Sequence, residues 1–312
     1  MICAGLAFEQ YKQNLGFEQG FVEHSQTVIL RSVARKPSVT VIGPGSLGGA
    51  LAIALHKAGF RIDELVYKSD KRRANTIARY CGAKVVTLAD ARLASSLVWM
   101  CVSDDSIRTT AEAMAEHAEW KGKVVFHSSG ALSSDQLAVL KRRGAAVASV
   151  HPMMSFVRAA EASFEGVSFA LEGDTPAVKQ AASIAEALGG VWFTLKKKDK
   201  PLYHALGAFS SPLLIAQMAA AESIGRKLGL RPEETRGVIG PILEKTLKNY
   251  LEHGPAAAFS GPIVRGDVET VKRNVAALSR VRGTSEIYRA LARLATENLP
   301  VRNRKKIQQA LK

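Results

Sequence analysis

Hydrophobic and polar positions first fall into a regular order at Ser38. From there to about residue 195, short runs rich in apolar and β-branched residues alternate with segments of helical spacing. The runs predict strands at Ser38–Ile42, Glu64–Tyr67, Lys84–Thr87, Leu97–Val102, Lys123–His127, Ala146–Val150, Ser168–Glu172 and Val191–Thr194. The segments between them predict helices at Ser46–Ala58, Lys71–Cys81, Ser106–Glu116, Ser133–Arg142 and Thr175–Leu188. Strands that alternate with helices imply right-handed βαβ units and a mainly parallel sheet. The unbroken apolar run Leu97–Val102 suits a sheet covered on both faces.

After about residue 196 the period becomes helical throughout. Helices are expected at Pro201–Leu228, Pro232–Glu252, Asp267–Val281, Ser285–Glu297 and Val301–Leu311, with the turn-rich stretch Gly254–Gly266 between the second and third. Pro232 suits a first helical turn and Gly229 a C-terminal stop. The stretch Ala205–Ala221 carries no charge. It is shorter than the roughly 20 mostly apolar residues of a spanning helix and contains Ser210, Ser211, Pro212 and Gln217, so it reads as a buried helix of a soluble fold. Such a helix, apolar all round, points to burial in a homodimer.

Composition narrows the class. The 312 residues are 47% hydrophobic and 23% charged, as in a globular protein with a sizeable core. Cys3, Cys81 and Cys101 are scattered and odd in number. They argue against a disulfide scaffold and a closed zinc site, and for a reducing, cytoplasmic location. No secretory signal is visible, because the apolar start lacks a basic flank and ends at Glu9. The net charge of +15 is spread over separate runs without interleaved aromatics. It fits a site for an anionic ligand better than a nucleic-acid or membrane surface.

The candidate chemistry begins at Gly43-Pro44-Gly45-Ser46-Leu47-Gly48, a G-x-G-x-x-G that ends an apolar strand and opens a helix. That context is what a dinucleotide fingerprint requires. Gly43 permits the tight turn, Gly45 lets a pyrophosphate approach the backbone, and Gly48 lets helix and strand pack closely. The free amides and dipole of the helix favour the anion. The fold expected is therefore α/β. A Rossmann-like, mainly parallel sheet over residues 37–196 is followed by an all-helical C-terminal domain over 197–312, with 1–36 as an N-terminal extension. The end of the second strand decides between cofactors. Lys68, Ser69, Arg72 and Arg73 offer cations and a hydroxyl for a 2′-phosphate, which favours NADP. Asp70 keeps NAD open as a ribose partner.

Three polar clusters follow apolar strands, on the edge where such sheets bind ligands. They are Val102-Ser103-Asp104-Asp105, His127-Ser128-Ser129-Gly130 and His151-Pro152-Met153-Met154-Ser155. His151 is the candidate acid/base near neutral pH, or else a strand-end cap. Ser129 is expected to position the reacting oxygen. Ser103, Asp104 and Ser128 are expected beside the cofactor, although serines here also suit turn caps and Asp104 a helix cap. Lys200 and His204 lie one helical turn apart if a helix has begun there, and would bind an anionic part of the substrate. No metal-ligand spacing is seen.

Six segments then occur in order: GPGSLGGAL at 43–51, VSDDSI at 102–107, HSSGALSS at 127–134, HPMMSF at 151–156, DKPLYHALGAFSSPLL at 199–214 and FSGPIVRGD at 259–267. Over about residues 37–290 the chain resembles the Rossmann-like NADP-oxidoreductase proteins whose helical half is a domain of unknown function. These look like relatives of 6-phosphogluconate dehydrogenase, pyrroline-5-carboxylate reductase and ketopantoate reductase. The resemblance implies that the helical half forms the substrate cleft and commonly the dimer interface. A second likeness is to prephenate and arogenate dehydrogenases, with Ser129 (or Ser128) and His151 at matching positions. Met154-Ser155-Phe156 departs from that pattern and puts the same substrate in doubt. The reading is an NADP(H)-dependent oxidoreductase of a small, anionic alcohol/ketone or amine/imine. The alternative is a non-catalytic protein that senses NADP(H) redox state.

Overall fold

The computed structural model describes residues 36–156 and 163–312. The N-terminal extension expected over 1–36 lies outside them but for its last residue. The chain forms two compact units, one through Gly207 and one from Ala208.

The first unit is built on one eight-stranded sheet in the order β3-β2-β1-β4-β5-β6-β7-β8. The strands are β1 (Ser38–Ile42), β2 (Arg61–Val66), β3 (Lys84–Val86), β4 (Leu97–Met100), β5 (Val124–His127), β6 (Ala146–Pro152), β7 (Ser168–Gly173) and β8 (Val191–Thr194). All neighbours are parallel except β6 and β7. The helices are α1 (Ser46–Lys57), α2 (Lys71–Cys81), α3 (Asp104–Ala115), α4 (Ala138–Arg142), α5 (Thr175–Ala187) and α6 (Lys200–Ser210). The residues Ser134–Leu137 form a 3₁₀ turn ahead of α4.

Alternation along the strands explains the two layers. Val41, Trp99, Phe126 and Ala148 pack with Leu51 and Leu55 of α1 and Ala181 of α5. Ile42, Val98, Met100 and Val125 turn to the other face, against Ile107, Ala111 and Met114 of α3. The apolar runs are thus buried on both faces. A fully buried side chain of this kind contributes about 1.5–3 kcal/mol.

The second unit is helical: α7 (Pro212–Lys227), α8 (Pro232–Ala258), α9 (Pro262–Arg265), α10 (Val268–Leu278), α11 (Thr284–Asn298) and α12 (Arg304–Ala310). Its core is Val271, Val275, Ala292, Ile307 and Leu311. Two expectations are corrected. The single helix over Pro201–Leu228 is broken at Ser211, whose backbone is non-helical (φ −134°, ψ −80°) ahead of Pro212. Proline has no N–H to give and disfavours a helical predecessor. The stretch Ala205–Ala221 is also not buried within the chain: Leu206, Phe209, Leu213 and Ile215 are exposed. α8 has only Thr235 buried and leaves helical geometry at Gly254 (φ 76°, ψ 175°), where the turn-rich stretch was expected to start. Among the described residues no helix is long and apolar enough to cross a membrane.

Candidate cofactor site and carboxyl-edge cluster

Parallel register brings the candidate residues to one edge. Ile42 pairs with Met100, Met100 with His127 and His127 with Ser149. Gly43, Val102-Ser103 and Ser128-Ser129, just beyond β1, β4 and β5, therefore lie on the same side as His151, near the carboxyl end of β6. The strand order reverses between β1 and β4, which is the switch point where open α/β sheets bind ligands.

The glycine turn occupies that point. Gly43 has φ +83°, and a Cβ there would lie 2.7 Å from the Cys101 carbonyl oxygen. A Cβ on Gly48 would lie 2.2 Å from the Gly43 carbonyl oxygen and 3.0 Å from Cys101 Cβ. Packing alone therefore demands these two glycines. Gly45 differs: its Cβ would meet nothing nearer than the Gly43 oxygen at 4.0 Å. It caps α1 without a side-chain hydrogen bond, and the first turn holds no acidic residue. The amides of that turn have no intrahelical acceptor, so their dipole opens on the space that Gly45 keeps clear. Pro44 is buried, while Ser46 and Leu47 are part-exposed.

Beside the turn lies a cavity of about 560 Å³, lined by Ile42, Gly43, Val66, Tyr67 and Lys68 on the sheet side and by Val102, Ser103 and Ser106 at the start of α3. Lys68 lines this cavity, and Lys68, Ser69, Arg72 and Arg73 are all exposed, at the end of β2 and the start of α2. Arg73 reaches the phosphate turn, its Nη2 donating to Ser46 Oγ at 3.0 Å. Asp70, the candidate ribose partner for NAD, instead caps α2 by accepting the Arg73 amide at 2.8 Å. That bond engages Oδ1 of the carboxylate.

At β4 and β5 the serines divide. Ser103 is the N-cap residue of α3, and its Oγ lies 3.0 Å from Ser106 Oγ. The helix begins at Asp104, two residues earlier than the spacing predicts. Ser128 Oγ accepts from Trp99 Nε1 at 2.8 Å, which leaves its own hydrogen directed at most to the distant Cys101 Sγ at 3.7 Å. Ser129 is buried and its hydroxyl is consumed. It donates to Asp104 Oδ2 at 2.9 Å and accepts the amides of Ala131 at 3.2 Å and Leu132 at 2.9 Å. A hydroxyl has one hydrogen and two lone pairs, so nothing remains for a substrate. In this structure the Ser129 hydroxyl latches the turn that follows β5.

Lys200 is likewise drawn inward. It is 1% exposed, with Nζ donating to Ser129 O at 3.1 Å and Ser149 Oγ at 2.6 Å. Burial pushes its amine down to about 8 against the upward pull of Glu172 and Asp104. The stem is enclosed, and two of its three hydrogens are bound to the sheet edge. His204, on the next turn of α6, is exposed. The two share a helix as the spacing implies, but Lys200 faces the core and His204 does not.

His151 is part-buried. Its Nδ1 lies 2.8 Å from the Tyr203 hydroxyl, and the two rings meet edge-on at 5.5 Å and 86°. A Cβ on Gly130 would approach its Nε2, Cδ2 and Cε1 to 3.0–3.1 Å, so the ring lies against the bare backbone of that glycine. Burial pushes the imidazole down to about 4, with the charges of Lys200 and His204 adding to the effect. That shift favours the neutral ring at pH 7, where it can donate or accept a hydrogen bond. Behind it His127 is fully buried, accepting the Ser129 amide at Nδ1 (3.1 Å) and meeting Ser133 O at Nε2 (3.0 Å). Burial pushes it to about 4 as well. Sequence reasoning placed His127 and Gly130 in the strand-end cluster without giving them a role, and gave none to Tyr203. Of these only Tyr203 carried a signal, sitting three residues after Lys200 on one helical face.

Comparison with known proteins agrees with this architecture. Residues 26–152 match the family described as Rossmann-like domain. Residues 167–295 match the family described as domain of unknown function, DUF2520. No curated protein matches the sequence. Among solved structures the chain is similar in fold to the candidate NADP oxidoreductase BF3122 from Bacteroides fragilis (TM-score 0.72, 21% identity, covering 85% of this chain and 99% of that one). It is similar also to protein TM1727 from Thermotoga maritima (0.65, 25%, 83% and 97%). A third is an imine reductase from Myxococcus stipitatus in complex with NADP+ (0.63, 16%, 88% and 99%). The chain thus joins a Rossmann-like domain to a DUF2520 domain.

Proposed function

We propose that the protein is an NADP(H)-dependent oxidoreductase acting on a small alcohol/ketone or amine/imine. The observation that carries this reading is Gly45: the protein's own packing does not ask for a glycine there, whereas a pyrophosphate resting on the first turn of α1 does. The turn Gly43–Gly48 would hold the pyrophosphate. Arg73, already bridging to Ser46, would meet a 2′-phosphate together with Lys68, Ser69 and Arg72. Ser103, Asp104 and Ser128 stand along the edge towards His151, and Ser128 keeps a hydrogen to donate. The bound nicotinamide would supply or accept hydride. The imine reductase similar in fold binds NADP+, which supports the choice of cofactor.

On the protein side His151 is the group left to touch the reacting atom. Ser129 and Lys200 act through the framework that holds it. An anionic substrate group would fall to His204, the exposed cation candidate of the pair. The sheet-bearing part over 37–196 would take the cofactor and the helical part over 197–312 the substrate, and the exposed leucines and isoleucines of α7 and α8 support a homodimer. Calorimetric titration with NADPH and NADH tests the reading, followed by a screen of small alcohols, ketones, amines and imines at the nicotinamide absorbance band. Failure of both dinucleotides to bind overturns it. Binding without turnover of any candidate returns the redox-sensor reading.

A further inference from the structure

We propose that Tyr203 is a positioning residue that locks His151 in the tautomer carrying its hydrogen on Nε2, so that a neutral imidazole presents a hydrogen-bond donor at the carboxyl edge of the sheet. The use of that donor on a substrate rests on the oxidoreductase reading; the tautomer does not.

The 2.8 Å contact between the Tyr203 hydroxyl and His151 Nδ1 can be made in two ways. In one, tyrosine donates to Nδ1. In the other, Nδ1–H donates to the phenol oxygen, and the phenol hydrogen must find another acceptor. Among the described residues the one within reach is the His151 carbonyl oxygen at 3.5 Å, the outer limit of a useful hydrogen bond. The bare ring nitrogen is also a better acceptor than a phenol oxygen, and the phenol a better donor than a neutral ring N–H. The first arrangement wins on both counts. A neutral imidazole has one hydrogen, which then sits on Nε2.

The ring has little freedom to turn over. Its face lies on Gly130, where even a methyl group would come within 3.0–3.1 Å of three ring atoms. Tyr203 is 6% exposed and is held by an edge contact to Phe193 at 5.9 Å and 69°. One turn earlier, Lys200 ties α6 to Ser129 and Ser149. The titratable groups around the ring favour the neutral form. Lys200 and His204 act on it as cations, while Glu172 and Asp104 act on Lys200 rather than on the ring. Burial pushes the Tyr203 phenol up, so it keeps its hydrogen. Glycine at 130, tyrosine at 203 and lysine at 200 are thereby read as one device that aims a neutral donor.

Long-range ¹H–¹⁵N correlation on the full-length protein, labelled at histidine nitrogen, tests this at pH 7. The His151 signals are assigned by their loss in His151→Gln. The expected wild-type pattern is a single Nε2–H tautomer, and Tyr203→Phe should show both tautomers in exchange. A wild-type Nδ1–H tautomer, an imidazolium at pH 7, or an unchanged single tautomer in Tyr203→Phe overturns the proposal. The wild-type spectrum decides by itself if the variant does not fold. NADPH added to the same sample reports separately on the cofactor reading: no binding with the Nε2–H tautomer intact defeats that reading and leaves this one standing.

Discussion

The two glycines of the phosphate turn respond to the same methyl group in opposite ways, and that contrast is the sharpest test of the cofactor site. In Gly48→Ala the new Cβ would sit 2.2 Å from the Gly43 carbonyl oxygen and 3.0 Å from Cys101 Cβ, both belonging to the buried junction of β1, β4 and α1. The helix must move off the sheet. Overpacking of this kind costs about 1–3 kcal/mol, and for a unit of this size each kcal/mol lowers the melting temperature by roughly 2–4 °C. In Gly45→Ala nothing lies closer than 4.0 Å, and the backbone (φ −78°, ψ −150°) sits at the margin of the extended region open to alanine. Stability should therefore change by less than about 1 kcal/mol, a small backbone strain offsetting the gain through the unfolded chain. The methyl group nonetheless fills the space over the α1 amides. Losing one charge-assisted hydrogen bond to the pyrophosphate costs about 1.5–3 kcal/mol, or about 10- to 100-fold in affinity. Thermal unfolding and calorimetric NADPH titration on both variants provide the readout. The reasoning fails if Gly45→Ala binds NADPH as tightly as wild type, or if it melts as low as Gly48→Ala.

Arg73→Ala should weaken NADPH about tenfold, about 1.4 kcal/mol, and leave NADH nearly unaffected; wild-type protein should bind NADPH at least about ten times more tightly than NADH by the same titration. Equal losses for both cofactors would place Arg73 away from the 2′-phosphate. Lys200 has its amine lowered from 10.5 to about 8, so the unfolded chain binds the extra proton between those values, and stability attributable to it rises with pH across that window. Lys200→Met should remove this rise in urea titrations at pH 8 and 10. His127 and His151 are both lowered from 6.5 to about 4; they should cost stability as pH falls from about 6.5 to 4, and His127→Gln should flatten part of that slope. Sedimentation should give a dimer at micromolar concentration, and Ile242→Asp, at an exposed apolar position of α8, should shift it to monomer.

Much of this was written in local sequence. Period and apolar run length carry strand and helix identity because both arise from neighbours a few residues apart. All eight strands and the helices α1 to α5 of the first unit therefore lie where the pattern puts them, with ends shifted by a few residues. The phosphate turn was legible for the same reason: strand, glycines and helix are contiguous. What local pattern misjudged was burial. Ala205–Ala221 reads as core because its residues are apolar, yet whether an apolar face meets its own chain depends on packing, and here it does not. The break at Ser211 turned on Pro212, a single residue within an otherwise helical stretch.

The site divides along the same line. Residue type placed Ser129, His151, Lys200 and His204 near one another, and the parallel register explains why residues after successive strands converge there. Their roles depended on partners far along the chain. Ser129 is spent on Asp104, 25 residues away, and Lys200 on Ser149, 51 residues away. His151 is made neutral by burial and aimed by Tyr203, 52 residues away. Which polar groups follow an apolar strand is local, and the chain spells it out. Which of them keep a free hydrogen or lone pair is settled by packing, since a hydrogen bond or a buried charge is satisfied by whatever the fold brings within about 3 Å.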